Sequence, residues 1–193
     1  LQFEALPAVK LQFQVTPPIE TVGVPIRLNG NLLGFGAHYE INFTQTGSIA
    51  SIMPLLHQEA DDANFIEFEL YAGTPFRYRY TIGDGYINAE RSGDGLLVTR
   101  QFIVPKTSVT IEDEINTWRA DDKTPITINI DAPINTPTIE DVSIQINRKG
   151  WNQSIPMWQL SDNKWIFILF SNGHDDTYEL RFCRNEQCEL TFD

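Results

Sequence analysis

Basic residues are scarce in this chain: fourteen Lys and Arg face twenty-six Asp and Glu over 193 residues, a formal charge of −12. The acids are spread along the sequence rather than gathered in a tail. A surface of that sign repels phosphate backbones, so nucleic acid is not an expected partner. Long apolar runs are also missing. None approaches the roughly 20 residues that a membrane-spanning helix needs, so no membrane insertion is expected.

Cysteine is limited to Cys183 and Cys188, in Phe182-Cys-Arg-Asn-Glu-Gln-Cys188. Two thiols without a nearby histidine or second pair are too few ligands for structural zinc. Their spacing suits a small disulfide-closed hairpin, which would point to an oxidising, extracellular compartment; two free thiols are the alternative. Of three histidines, His38, His57 and His174, none stands at a recognisable spacing from a nucleophile, and no Gly-x-Ser-x-Gly elbow occurs. The acid pairs Asp61-Asp62, Asp121-Asp122 and Asp175-Asp176 read as solvated turn residues rather than as glycosidase carboxylates facing across a groove. Gly83-Asp-Gly85 and Gly93-Asp-Gly95 lack the alternating oxygen donors of a calcium loop. A non-catalytic chain without cofactor or metal is expected.

What the chain does contain is the same pattern twice. Leu11-Gln-Phe-Gln-Val15, Pro17-Pro-Ile-Glu-Thr21 and Ile26-Arg-Leu-Asn29 recur as Ile126-Thr-Ile-Asn-Ile130, Ala132-Pro-Ile-Asn-Thr136 and Val142-Ser-Ile-Gln-Ile-Asn147. Asn64–Leu70 is matched with Lys164–Phe170, and Phe76-Arg-Tyr-Arg-Tyr80 with Tyr178-Glu-Leu-Arg-Phe182. Repetition at so long a period means two copies of a domain, not a solenoid. Apolar residues alternate with polar ones within these segments, the pattern of half-buried strands, and clusters such as Pro17-Pro18, Asn29-Gly-Asn31 and Ser171-Asn-Gly173 mark turns between them. Helical periodicity is weak. The expected fold is all-β, two tandem antiparallel β-sandwiches.

The first sandwich is placed at residues 10–118, preceded by a stub or added edge strand at 1–9 and closed by the strand Leu97–Val104. A polar linker at 119–125 leads to a shorter second sandwich at 126–193. That second copy has nothing matching Leu97–Val104 and so is expected to lack its last strand. An open sheet edge is normally covered, so the chain reads as a fragment of something longer, the alternatives being that the Leu1–Val9 stretch or a neighbouring molecule fills the gap.

One strand is apolar on both faces. Trp165, Phe167 and Leu169 alternate with Ile166, Ile168 and Phe170, whereas the first copy sets Phe65, Glu67 and Glu69 at the positions matched to Trp165, Phe167 and Leu169. A face that is polar in one copy and apolar in the other is covered by the first domain or by a neighbour, or else belongs to an ordinary thick core. Trp158 reads as packing and Trp118 as a plug at the linker.

The order of these pieces resembles the starch-binding domain family, an immunoglobulin-like carbohydrate-binding fold. The resemblance is carried by Pro25-Ile-Arg-Leu-Asn-Gly-Asn31, Leu70-Tyr-Ala-Gly73, Tyr78-Arg-Tyr80, Gly83-Asp-Gly-Tyr86, Thr99-Arg100 and Gln101–Val104. Both halves are similar to tandem modules of secreted bacterial multidomain proteins, often beside glycoside hydrolase domains, in phrases matching Tyr80–Glu90 and Arg181–Cys188. By that resemblance a sugar platform takes two exposed aromatics, one on a loop and one on a turn. Trp151 stands at the loop position of the second copy and Cys188 at the turn position; Tyr86 stands at the turn position of the first copy, and Phe35 is the loop candidate.

Aromatic rings bind sugars by stacking on pyranose C–H groups while amides and carboxylates hold the hydroxyls. Asn152 and Gln153 follow Trp151, and Asp84 and Asn88 flank Tyr86, so these six residues, with Phe35, form the candidate carbohydrate site. Two readings follow. One is a tandem module binding a polysaccharide or oligosaccharide weakly, its two sites reinforcing each other through effective concentration. The other is an immunoglobulin-like spacer that contacts neighbouring domains of its parent protein and binds no sugar. Exposed, co-facing Trp151 and Tyr86 favour the first; rings buried at a domain junction favour the second.

Overall fold

The computed structural model describes residues 6–36, 50–58, 64–135, 137, 141–147, 150–173, 177–185 and 187–190. His38, Asp61, Asp62, His174, Asp175 and Asp176 lie outside the described residues. The protein is an all-β sandwich fold, and its described helical segments are short 3-10 turns. None is long and apolar enough to cross a membrane.

Seven strands come from the first copy: β1 (Ala8–Thr16), β2 (Arg27–Gly30), β3 (His57–Gln58), β4 (Asn64–Tyr71), β5 (Pro75–Thr81), β6 (Arg100–Ile103) and β7 (Val109–Glu114). They form two sheets, ordered β3-β4-β1-β7 and β2-β5-β6. β1 alternates as its sequence requires, with Val9, Leu11, Phe13 and Val15 buried. Opposite it, Phe76, Tyr78 and Tyr80 of β5 point inward, and Phe13 meets Tyr78 edge-on at 5.1 Å between ring centroids. Each such buried ring or aliphatic chain contributes about 1.5–3 kcal/mol. The closing strand is shorter than Leu97–Val104, because β6 covers Arg100–Ile103 alone, and the segment after Pro105 returns as β7, parallel to β1.

The second copy supplies β8 (Ile126–Asp131), β9 (Val142–Asn147), β10 (Ile155–Pro156), β11 (Trp158–Ser161), β12 (Lys164–Leu169), β13 (Glu179–Arg184) and β14 (Gln187–Cys188). Its sheets run β11-β12-β8 and β10-β9-β13-β14. Trp165, Phe167 and Leu169 face an interior shared with Val142, Ile144 and Ile146. Among the described residues no strand matches β6 or β7.

Strand pairing corrects the match between the copies by one residue. Phe13 stands opposite Ile66 in β4, and Ile128, its counterpart in β8, stands opposite Phe167. Trp165, Phe167 and Leu169 therefore correspond to Asn64, Ile66 and Phe68, and the additional apolar face is Ile166, Ile168 and Phe170. A slip of one exchanges the faces of a strand, and a strand apolar on both sides gives no pattern to prevent it. The covering of that face is supplied by the first sandwich: Phe170 is buried in its core, and Ile168 and Trp158 pack against it. In return Ala50, Met53 and Ile87 enter the second core, with Tyr86 packed on its margin.

The connection between the copies is held as well. Trp118 is buried, its indole N–H donating to Thr21 Oγ1 at 3.0 Å, and the Ala120 N–H donates to the Ser171 carbonyl at 3.0 Å.

Candidate functional site

The Gly83–Asn88 turn lies between the sandwiches, and its shape follows from its residues. A Cβ at Gly83 would overlap the carbonyl oxygen of Ile87, so only glycine closes the turn there. Asp84 Oδ1 accepts the N–H of Tyr86 at 2.7 Å and of Ile87 at 2.5 Å, an Asx-type arrangement that fixes the loop locally. Asn88 adopts the left-handed conformation at φ 56°, a region that asparagine tolerates better than most residues.

Both polar side chains of this turn reach the second sandwich. Asn88 Nδ2 donates to the Ile168 carbonyl at 2.6 Å, while its Oδ1 accepts the Phe170 N–H at 3.0 Å. Asn152 Nδ2 donates to Asp84 Oδ2 at 3.3 Å, and Asn152 Oδ1 accepts the Ile146 N–H at 2.7 Å. Asp84 and Asn88 are buried, and burial raises the Asp84 carboxyl above its ordinary range against the pull of its hydrogen-bond donors.

The candidate residues of the two copies thus converge on one junction. Tyr86 is half-buried there, with the Arg91 guanidinium 6.0 Å from its ring centre. Trp151 is half-buried beside Asn152, and the Arg181 guanidinium lies 4.2 Å from the centre of its ring. Arg181 is itself held by Gln145 Oε1 at 2.8 Å, so the cation is braced over the indole. Gln153 is exposed. Phe35 stands apart, buried in the first core with its ring 4.6 Å from Phe68 and 5.1 Å from Phe76. Cys183 and Cys188 form a disulfide between directly opposed positions of the β13–β14 hairpin.

A second constellation was not foreseen from the sequence. Asp113 Oδ2 accepts both the Tyr78 hydroxyl at 2.9 Å and the Tyr80 hydroxyl at 2.8 Å, and its Oδ1 takes Arg100 Nη1 at 2.9 Å. Arg100 also grips buried Glu90 through Nη2 at 3.1 Å and Nε at 3.3 Å. Burial and the neighbouring Asp113 charge push both phenols well above the usual tyrosine range. Tyr78, Arg100 and Asp113 floor a groove of about 380 Å³ between β6 and β7, walled by Phe102, Ile103, Val109 and Ile111. Asp113 lies in β7 of one sheet and Tyr78 and Tyr80 in β5 of the other, so no local sequence signal brings them together. With every member paired to another, the cluster ties the two sheets together.

No family model matches the chain, and no curated protein matches it. Among solved structures it is similar to a glycoside hydrolase family 15 glucoamylase from Hypocrea jecorina, at a TM-score of 0.41 and 18% identity, over 58% of this chain. The chain covers 18% of the length of that enzyme. A likeness of this size carries no functional argument.

Proposed function

We propose that the chain is a non-catalytic structural module, two β-sandwiches joined into one stiff body that holds neighbouring domains of its parent protein at a fixed spacing. The observation that carries this reading is the Asn88 side chain, whose amide bonds at both its nitrogen and its oxygen to the backbone of the other sandwich, at Ile168 and Phe170. Residues able to hold sugar hydroxyls are here engaged with protein: Asp84 with Tyr86, Ile87 and Asn152, and Asn152 with Ile146. The Cys183–Cys188 disulfide suits an extracellular setting.

Weak glycan binding is the second reading, favoured by Trp151, which is half-buried at the position matching a sugar platform and is followed by exposed Gln153. Affinity electrophoresis through gels containing soluble α-glucans and other polysaccharides separates the two. The structural reading expects equal migration with and without polysaccharide, for the unaltered protein and for Trp151→Ala. Retardation of the unaltered protein that Trp151→Ala abolishes would overturn it in favour of glycan binding.

A further inference from the structure

The seam between the sandwiches holds a cleft of about 150 Å³, lined from the first by Pro25, Arg27, Leu55 and Gly83 and from the second by Pro156 and Trp158. Arg27 begins β2, opposite Thr81, and Trp158 begins β11, opposite Ile166, so these two strand ends meet only because the copies pack together. Pro25 and Pro156 offer no N–H, and Gly83 no side chain. Among the described residues Arg27 is the only charged group in the lining.

That charge is poorly compensated by the chain. Among the described residues its one hydrogen bond runs from Nη1 to the Met53 carbonyl at 2.8 Å, and no carboxylate stands within ion-pair distance of it. Arg100, half-buried like Arg27, is held by Glu90 at 3.1 Å and Asp113 at 2.9 Å. Burial lowers the Arg27 pKa, and the Asp141 charge raises it only in part. A cation partly withdrawn from water is costly without a partner, and a guanidinium presents a planar edge of N–H donors that a carboxylate meets with two parallel bonds. One cation calls for one negative charge, because a dianion would exchange an unmatched positive charge for an unmatched negative one in the same low-dielectric cleft. The rest of the lining sets the other half of the ligand. A cavity of about 150 Å³ holds a benzene ring, and indole, proline and leucine surfaces take apolar bodies.

We infer that this cleft binds a small organic monocarboxylate with an apolar body, its carboxylate on the Arg27 guanidinium and its body among Trp158, Pro25, Pro156 and Leu55. Both sandwiches line the cleft, so such a ligand bridges the seam and stabilises the joined form. The inference goes beyond the spacer reading and does not depend on it: a chain that takes no ligand here would still unfold as one body.

Nuclear magnetic resonance titration of the nitrogen-15-labelled, 193-residue protein with sodium benzoate at constant ionic strength tests it, with benzyl alcohol and inorganic phosphate as comparison probes. The Arg27 Nε–H and Trp158 indole N–H signals are expected to shift together and saturate, with an affinity at the millimolar level or tighter, as suits a ligand of this size. Benzyl alcohol and phosphate are expected to bind at least about tenfold more weakly, and Arg27→Gln to weaken benzoate by about tenfold or more. If Arg27→Gln does not fold, the three probes on the unaltered protein decide alone. No saturable shift with benzoate up to about 20 mM overturns the inference. Equal binding of benzyl alcohol would show an apolar cleft indifferent to the charge, and equal binding of phosphate a general anion contact; either overturns it. So does benzoate binding that a folded Arg27→Gln variant leaves unchanged, or that shifts signals elsewhere and not these two.

Discussion

Asn88 and Phe170, 82 residues apart in sequence, are joined by a buried hydrogen bond of 3.0 Å from the Phe170 N–H to Asn88 Oδ1. The other end of the same amide donates to Ile168, so one side chain brackets Leu169 at the end of β12. This bracket stands where the apolar face of Ile168 and Phe170 meets the first core, and it locks the register of that packing.

Replacing Asn88 with Ala removes both bonds, leaves a buried N–H and carbonyl unpaired, and sets a Cβ without a polar group at a left-handed position. A loss of about 2–4 kcal/mol is expected in denaturant unfolding. Asn88→Gly removes the same bonds without the backbone strain, so it is expected to lose about 1 kcal/mol less. Equal stability of Asn88→Ala and the unaltered protein would remove the bracket from the account.

Asp84 gives the junction a pH dependence of definite sign. Its folded-state affinity for a proton is raised by burial above the ordinary value of 3.8. The folded chain therefore binds this proton more readily than the unfolded chain. Stability falls as pH rises from 3.8 through the raised value, and above that window the cost of the buried charge is complete. Burial shifts Glu90 the same way, against the opposing pull of Arg100. Over that window Asp84→Asn is expected to show a shallower decline of the urea midpoint with pH than the unaltered protein. Parallel profiles would mean that the Asp84 carboxyl carries no burial penalty.

Tyr78 and Tyr80 share one carboxylate oxygen of Asp113. Tyr80→Phe keeps the ring and deletes one bond to a charged acceptor, at an expected cost of about 1.5–3 kcal/mol. Because both phenols are pushed up, an ultraviolet titration is expected to show two of the six tyrosines ionising only as the protein unfolds in alkali. Six phenols titrating together in the folded protein would contradict the Asp113 network.

The Cys183–Cys188 bridge closes a short loop, at a sequence separation of five. A loop of that size constrains the unfolded chain modestly, and the double variant Cys183→Ser, Cys188→Ser is expected to lose about 2 kcal/mol. Melting with and without reductant measures it; no change on reduction would place the stability of the β13–β14 hairpin in its backbone bonds alone.

The strands were legible because alternation is strong where one face is dry: Leu11, Phe13 and Val15 announce the inner side of β1. The register between copies was not, because β12 is apolar on both faces and gives no sign of which side is inward. Trp118, read as a plug, owes its burial to Thr21, 97 residues away, a contact that no local pattern reports. Asp84 and Asn88 carried a different ambiguity. Polar residues in a glycine-rich turn look alike in sequence whether they hold ligand hydroxyls or backbone groups of the neighbouring sandwich, and only the fold brings Ile168, Phe170 and Asn152 to them. The Asp113 network joins strands whose pairing is set by tertiary structure, so its members could not be gathered by spacing.

Differential scanning calorimetry of the unaltered protein bears most directly on whether the two sandwiches form one body. With each core borrowing side chains from the other copy and Asn88 bracketing the seam, a single transition is expected, its van't Hoff enthalpy equal to the calorimetric enthalpy. Two separable transitions, each with the enthalpy of about half the chain, would contradict it.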